Sequence, residues 1–470
     1  MSKSTSRPDE RRLHPSALVI YAADALKNAF FPVLIIVAVT VFGRSLDTRA
    51  LLQAAIYGAI GLAIAVTVGA IKYQTTSYYI GPEAIHHLTG ALSKKVTDIR
   101  LDRIEAIDIH QGPLQRLFNV YAVDVQTGAG TKGGEISLPA LTPAAVEELR
   151  AARPQAAHTD APAEDEPERP TRRLAGRELA IAALTAGQLG IVVPVLAGAS
   201  QVVQQLFSNE RQGEEAVRAL PHSTMVIVLA VIGIVLLAWL LSTLGAVVAF
   251  GGFTVMRDGD RLRIRRGVVE RTEATVPVGR VRAVRVVEGV FRRPFGLATL
   301  TVEITGYADE AAAARTLFPL VRLRDVDAFL QEFLPELADD PRGLSSPPRR
   351  AARRYILLPT LLGAFITFAA WFEVGPPALA GVLFGFLYGH ERWRAAAWRL
   401  ADGRLAIRSM RLARTTVLAP AHNRESHTLV QNLLQRRADL ADLEVAFGKQ
   451  TTARIRHLDA SDAHAAWSSL

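Results

Sequence analysis

The stretch RTEATVPVGRVRAVRVVEGVFRRPFGLATLTVEIT, from Arg271 to Thr305, occurs in three degenerate copies along this chain. One further copy begins at Lys94 and another at Arg414. The copies share an arginine near their middle, at Arg116, Arg293 and Arg436. Self-similarity of this kind predicts that one supersecondary unit is used three times. We therefore expect a repeat protein of three related modules.

The composition indicates apolar segments set between charged ones. Of the 470 residues, 50% are hydrophobic and 21% are charged, and the length fits about three domains. The chain has no cysteine, which excludes disulfide bonds, thiolate catalysis and cysteine-ligated zinc or iron–sulfur clusters. Basic residues outnumber acidic ones, 54 to 45. Membrane topology explains this excess, and an anionic partner is the alternative explanation.

Six uncharged segments, grouped in pairs, are predicted to cross a membrane as helices. Most reach or approach the roughly 20 residues that a hydrocarbon core requires. They comprise residues 28–43, 51–71, 179–207, 224–251, 355–372 and 376–389. Lysine and arginine cluster on one side of all three pairs, as at Lys72, Arg257 and Arg392. Since cytoplasmic flanks carry such an excess, both termini and the three polar segments should be cytoplasmic, in a protein of the plasma membrane.

Each polar segment is predicted to form antiparallel strands followed by one helix. Asp258-Gly259 and Asp402-Gly403 are favoured tight-turn pairs, and each lies between two predicted strands. Thr142-Pro143 is a typical helix start, with an N-cap residue followed by proline. Before the first span, residues 13–27 are predicted to form a helix lying at the membrane interface.

These features together resemble the bacterial pleckstrin-homology-like membrane proteins, and among them the YdbT-like members that carry several modules. In the second copy, the matching residues are Gly267, Arg271, Thr272, Pro277, Arg280, Val281, Arg293, Phe295 and Gly296. The first copy departs from the pattern at Arg100 and Asn119. The third copy departs from it at Met410, Asn423, Ala438 and Asp439. The resemblance implies a strongly bent antiparallel sheet with one C-terminal helix, and it implies little chemistry.

The predicted fold class is a mixed membrane α and α+β protein. Six transmembrane helices form three pairs, and each pair is followed by a cytoplasmic PH-like bent sheet with a C-terminal helix. The helix pairs occupy regions 1–72, 174–251 and 351–392, the first of which includes the N-terminal segment. The modules occupy 73–150, 252–337 and 393–470, and the last is degenerate. Two linkers are predicted, a disordered one rich in Pro, Ala and Glu at 151–173 and a shorter one at 338–350.

No catalytic motif is recognised in the sequence. It lacks a Walker-type phosphate loop, a nucleophile elbow and a His-Glu-x-x-His helix. His86-His87 lies at a predicted turn, where an exposed polar pair is a better explanation than a metal site. We therefore expect no enzymatic activity, no cofactor, no bound metal and no nucleic-acid partner.

Two sets of residues are candidates for specific contacts. The candidate contacts for anionic lipid headgroups, at about 1 kcal/mol per charge, are Arg263, Arg265, Arg280 and Arg282. The alternative for this set is a solvated strand face that happens to lie near the membrane. The candidate helix-packing stripe is Gly381, Gly385 and Gly389, because small residues at this spacing let helices approach closely. Packing within the chain is the favoured interpretation of the stripe, and a dimer is the alternative.

The sequence favours a non-enzymatic multi-pass membrane protein that presents three cytoplasmic modules for binding. The expected partners are membrane lipids and a protein or peptide, with a role in envelope stress or peptide tolerance. A homo-oligomer is a further alternative. The alternative is a six-helix transporter or channel component. Charged residues are absent from the second, third and fourth spans, which argues against ion-coupled transport.

Overall fold

The computed structural model describes residues 11–26, 48–90, 93–127, 136–152, 170–185, 224–304, 316–448 and 451–470. Three predicted features lie wholly or largely outside these residues: the span at 28–43, most of the span at 179–207, and the disordered linker over 153–169. The described residues form three modules of antiparallel strands, and each module ends in a short helix.

The first module packs its strands and helices around one core. Its strands are β1 (Arg11–Arg12), β2 (Ser77–Ile80), β3 (Ala84–Thr89), β4 (Lys95–Arg100), β5 (Ile104–Gln111), β6 (Tyr121–Thr127) and β7 (Ile136–Leu141). Its helices are α1 (Ser16–Leu26), α2 (Thr48–Thr75), α3 (Pro113–Leu117) and α4 (Pro143–Ala152). Leu13, Ala17 and Ile20 are buried in the same core as Ile85 and Leu149. The segment predicted as an interfacial helix is thus helical, and its apolar side covers the module.

The second module repeats this order. Its strands are β8 (Thr171–Arg173), β9 (Thr254–Asp258), β10 (Arg261–Arg266), β11 (Arg271–Pro277), β12 (Val281–Glu288), β13 (Leu297–Ile304) and β14 (Thr316–Arg322). Its helices are α5 (Gly176–Leu184), α6 (Thr224–Phe250) and α7 (Val326–Phe333). Helix α7 buries Val326, Phe329, Leu330 and Phe333, the i, i+3, i+4, i+7 pattern of an amphipathic helix that closes a core.

The third module has its strands at β15 (Ala397–Ala401), β16 (Arg404–Met410), β17 (Arg414–Pro420), β18 (Ser426–Val430), β19 (Leu440–Ala446) and β20 (Thr452–Asp459). Its helices are α8 (Ala352–Val374), α9 (Ala380–Ala395), α10 (Leu433–Arg436) and α11 (Ala460–Ser469). Asp402 and Gly403 both have positive φ and join β15 to β16, as a type I′ turn requires. In the second module Asp258 pairs with Arg261, so the turn consists of Gly259 and Asp260. It lies one residue later than the predicted turn pair, Asp258-Gly259.

The strands of neighbouring modules share sheets. A seven-stranded sheet has the order β7-β6-β5-β11-β10-β9-β8, and a six-stranded sheet has the order β14-β13-β12-β17-β16-β15. The second half of one module therefore continues edge to edge into the first half of the next. We call the β5–β11 pairing the first junction and the β12–β17 pairing the second junction. The resemblance implies one bent sheet per module. In this chain the strands of each module are instead divided between two sheets, and the shared sheets join neighbouring modules.

The two junctions have the same register. At the first junction Gln111 lies opposite Arg271, and at the second junction Glu288 lies opposite Arg414. Arg271 and Arg414 occupy equivalent positions of the repeat, and so do Gln111 and Glu288. The way in which one module joins the next is thus itself part of the repeat.

Both predicted linkers need correction at residues that the structure describes. The prediction of disorder up to residue 173 is wrong at its end, because β8 pairs with β9. The predicted linker at 338–350 is also packed: Ala338 is buried in the core of the second module, and Ser345 bridges to Trp398. Arg399 donates to the carbonyl oxygens of Asp340 and Arg342. Each of these segments pairs through its backbone with the first strand of the next sheet, as β1 does with β2.

Arg292 fixes helix α5 to the second module. It is buried and donates to the carbonyl oxygen of Ala182 at 2.8 Å and to the Thr185 hydroxyl at 3.1 Å. It also donates to the carbonyl oxygen of Pro319 at 2.9 Å. Burial lowers the pKa of Arg292 to about 10. The end of α5 is therefore held at a defined place on the module.

One helix among the described residues has the length and composition of a membrane span, at Gly58–Thr75 within α2. Shorter apolar helices occur at Ser16–Leu26 and Val235–Phe250. The predicted total of six transmembrane helices is not established by these elements and stays a prediction.

Candidate anion-binding cleft

A cavity of about 450 Å³ lies at the second junction. Its walls come from β12 of the second module and from β16, β17 and β20 of the third. Tyr355, near the start of α8, and Arg392, near the end of α9, complete the lining. The cavity is therefore located where the α8–α9 hairpin meets the joined modules.

Arginine dominates this cavity, which we call the arginine cleft. Its arginines are Arg285, Arg392, Arg408, Arg411, Arg454 and Arg456. The alternation of strand β20 explains two of them, because Ala453 and Ile455 enter the core of the third module and leave Arg454 and Arg456 on the other face. The strand pattern thus concentrates positive charge on one wall.

The charge of the cleft is poorly compensated. Arg454 contacts Asp442 at 2.9 Å and Glu444 at 3.5 Å. For the other five arginines, no salt bridge to a carboxylate is found within the part of the chain that the structure describes. The nearby Glu288 is already bound by Arg414. Like charges held together in this way favour the binding of an anion.

Burial further disfavours the charged form of these arginines. Burial lowers the pKa of Arg408 and the positive charge of Arg414 lowers it further, with Glu288 offsetting part of this shift. Burial likewise lowers the pKa of Arg456, Arg454 and Arg392 add to the effect, and Asp442 offsets part of it. The Nε atoms of Arg392 and Arg454 are buried, and neither has a hydrogen-bond partner among the described residues. Unsatisfied buried donors are costly, and phosphate or carboxylate oxygens would satisfy them.

The four arginines predicted as an anion-facing surface lie elsewhere. Arg263 contacts Asp258 at 3.1 Å and Arg265 contacts Glu273 at 3.2 Å, both within the seven-stranded sheet. Arg282 belongs to β12 in the six-stranded sheet, and Arg280 ends the turn before it. The structure therefore groups Arg263 with Arg265 beside carboxylates and places Arg282 in a different sheet.

The glycine stripe of α9 lies against α8. A Cβ atom at Gly385 would be 2.3 Å from the carbonyl oxygen of Pro359, and one at Gly389 would be 2.6 Å from Cα of Ile356. At Gly381 the nearest atom would be Oγ1 of Thr367, at 2.7 Å. The two helices of the hairpin thus approach closely along the stripe, within one chain.

The first junction has different chemistry at the equivalent positions. Asp108 occupies the place of Arg285, and burial raises its pKa to about 7. His110 beside it contacts Asp124 at 3.4 Å. Burial lowers the pKa of His110, but the hydrogen bond and charge of Asp124 outweigh this effect and raise it overall. The arginine cleft is therefore a feature of the second junction, not of every junction.

Sequence reasoning missed the cleft because its residues are widely separated. Arg285 and Arg456 belong to different modules, and Arg392 was notable only as a topology signal. The alternating Arg454 and Arg456 were a usable signal, since they repeat the pattern of Arg263 and Arg265. Only the pairing of β12 with β17 brings the set together.

Comparison with known proteins agrees with this architecture. A family model described as the bacterial PH domain matches residues 31–153, 215–337 and 357–470, one match for each module. The UPF0699 transmembrane protein YdbT of Bacillus subtilis (strain 168) is 24% identical over 464 residues, which cover 92% of this chain and 91% of that protein. Its description as transmembrane supports a membrane location for this chain. No solved structure matches the chain. The three matches span most of the sequence, and the chain belongs to the bacterial PH domain family.

Proposed function

We propose that this chain is a membrane-anchored, non-enzymatic binding protein whose arginine cleft holds the phosphate of an anionic lipid headgroup. The observation that carries the proposal is the set of five arginines without a carboxylate partner, among the described residues, around one cavity of about 450 Å³. Hydrogen bonds to charged groups contribute about 1.5–3 kcal/mol each, so two or three such contacts give useful affinity.

The position of the cleft favours a lipid over a free anion. The outer surface of the α8–α9 hairpin is apolar and exposed, with Leu358 at 69%, Phe365 at 68% and Phe384 at 71% of their full accessibility. An apolar patch of this kind on a soluble protein would be a liability, whereas in a bilayer it faces acyl chains. If the hairpin is inserted, the cleft at its base is at the depth of the headgroups.

The wider proposal follows the sequence analysis. The hairpin and the other apolar helices anchor the chain in the plasma membrane, both termini and all three modules are cytoplasmic, and a protein or peptide partner binds the modules. Catalysis, cofactors and nucleic acid have no part in this function. A role in envelope stress or peptide tolerance completes this proposal.

The test uses the full-length chain in a mild neutral detergent. Binding of dioctanoyl phosphatidylglycerol, dioctanoyl phosphatidylcholine and inorganic phosphate is measured by isothermal titration calorimetry. Both lipids carry a phosphate, but the choline cation of phosphatidylcholine would be repelled by the arginines of the cleft. We therefore expect the anionic lipid to bind at least about tenfold more tightly than the zwitterionic one, a difference of about 1.4 kcal/mol. Arg408→Gln combined with Arg456→Gln should abolish this preference. Tight binding of phosphate alone would identify a free anion as the ligand.

Two control variants locate the site. Arg324→Gln removes an exposed charge paired with Asp325 and should leave binding unchanged. Arg263→Gln with Arg265→Gln removes two arginines of the surface predicted from the sequence. Loss of binding in that double variant, with binding retained in Arg408→Gln/Arg456→Gln, would move the site to the second module and disprove the proposal.

A further inference from the structure

Among the described residues, two strands at the joining positions of the repeat have no partner strand in another module. β5 and β12 pair outward with the next module, and β11 and β17 pair with the preceding one. Their equivalents are β18 in the third module and β4 in the first. Each of these two strands is the outermost strand of its sheet among the described residues.

These two edges differ from the other sheet edges. One repeat position is outermost in all three modules, and it is occupied by β7, β14 and β20. An open edge at that position is therefore common to every module. β4 and β18, by contrast, occupy repeat positions that are paired with a neighbouring module elsewhere in the chain, and among the described residues they have no such neighbour. Their exposed apolar residues include Val96, at 57% exposure, and Val430, at 41%.

From this geometry we infer that β18 of one copy of the chain pairs antiparallel with β4 of a second copy and forms a third junction. The register shared by the first two junctions fixes the facing residues. They are Lys95 and Val430, Val96 and Leu429, Thr97 and Thr428, Asp98 and His427, and Ile99 and Ser426.

The facing residues are compatible. Val96 meets Leu429, Thr97 meets another threonine, and Asp98 meets a histidine, all of which are favourable cross-strand pairs at about 0.2–1 kcal/mol each. Asp98 also contacts His86 at 2.6 Å within its own sheet. The charged residues of β4 disfavour pairing of this open edge with unrelated strands. The matching register and charges of β18 therefore favour a second copy over other strands.

The contact is head-to-tail. Such interfaces produce a closed ring when the rotation between copies closes, and an open row when it does not. Each added copy contributes three modules and one new junction.

The test uses cysteine cross-linking in native membranes, since the chain has no cysteine of its own. Two full-length forms with different tags are co-expressed, one with Thr97→Cys and the other with Thr428→Cys. Oxidation should give a disulfide-linked dimer that carries both tags, whereas either form expressed alone should stay unlinked. Asp98→Cys with His427→Cys is tested in parallel, because adjacent antiparallel pairs alternate between closer and wider spacing.

Two controls make the result interpretable. Thr272→Cys with His110→Cys in one chain spans the first junction, where the two side chains are 3.5 Å apart, and should give an intramolecular disulfide. Ser137→Cys on β7 replaces Thr97→Cys as the negative control and should give no dimer. With the first control positive, the inference is overturned if neither tested pair links, if Thr97→Cys links to itself, or if it links only to a different protein.

Discussion

Arg414 donates from Nε to Oε1 of Glu288 at 2.7 Å, and from a terminal nitrogen to Oε2, across the second junction. Glu288 is 1% exposed, so this carboxylate depends on Arg414 for its charge balance. Replacing Arg414 by Ala should destabilise the joined second and third modules by about 3–5 kcal/mol, the usual cost of leaving one member of a buried ion pair alone. The check is the thermal unfolding midpoint of the purified chain. Arg271→Ala, the equivalent change opposite the neutral Gln111, should lower the midpoint much less; equal losses would contradict this account.

Asp108 makes the first junction sensitive to pH. Its folded-state pKa of about 7 exceeds the unfolded value of 3.8, so the folded state keeps a proton that the unfolded state has lost. Stability therefore falls as pH rises from about 4 to about 7. The raised pKa of His110 acts in the same direction, since its contribution is lost as pH rises through the folded pKa. Asp108→Asn should flatten most of this slope when unfolding midpoints are compared from about pH 4 to about pH 7, between the unfolded and folded pKa values of Asp108.

The surface residue Asp102 provides the control for that series. Its side chain is 55% exposed and contacts Arg100, so Asp102→Asn should leave the pH slope as it is in the original chain. An unchanged slope in Asp108→Asn would show that the pH dependence arises from other groups.

The close contact of α8 and α9 makes Gly385 intolerant of a side chain. Its Cβ would lie 2.3 Å from the carbonyl oxygen of Pro359, so Gly385→Ala should force the helices apart and destabilise the hairpin by about 1–3 kcal/mol. The matched control is Gly233→Ala in α6, where no described atom outside the helix's own backbone lies within 4 Å of the added methyl. That change should be neutral or slightly stabilising, because alanine favours helix. Unfolding midpoints in detergent that rank the two variants the other way would contradict the packing described here.

Arg399 holds the segment before α8 in place. It bonds the carboxylate of Asp339 and the carbonyl oxygens of Asp340 and Arg342. Arg399→Ala should release this segment and raise the rate of tryptic cleavage after Arg342, whereas Arg324→Ala should not. Peptide mass spectrometry during limited proteolysis measures this rate. Rapid cleavage at Arg342 in the unaltered chain would restore the linker that the sequence predicts.

The parts of the fold that were predictable from sequence are those set by local chemistry. The turn at Asp402-Gly403 and the helix start at Pro143 follow from residues adjacent in the chain. The pairing of Gln111 with Arg271 does not, because a strand shows the same alternation whether its partner belongs to its own module or to the next. The residues around Asp340 and Gly343 have a linker-like composition, and distant Arg399 overrides it. The arginine cleft was hidden for the same reason, since it exists only once β12 and β17 have paired.

The shared sheets also set an order for synthesis. When β5 leaves the ribosome, its outward partner β11 has not yet been made, and at about 5–20 residues per second the wait is on the order of ten seconds. During that time the outward edge of β5 has no partner strand, and the backbone N–H and C=O groups along that edge bond only to water. β12 then waits in the same way for β17. A nascent chain stalled between modules would therefore expose a strand edge that is open to pairing with other chains.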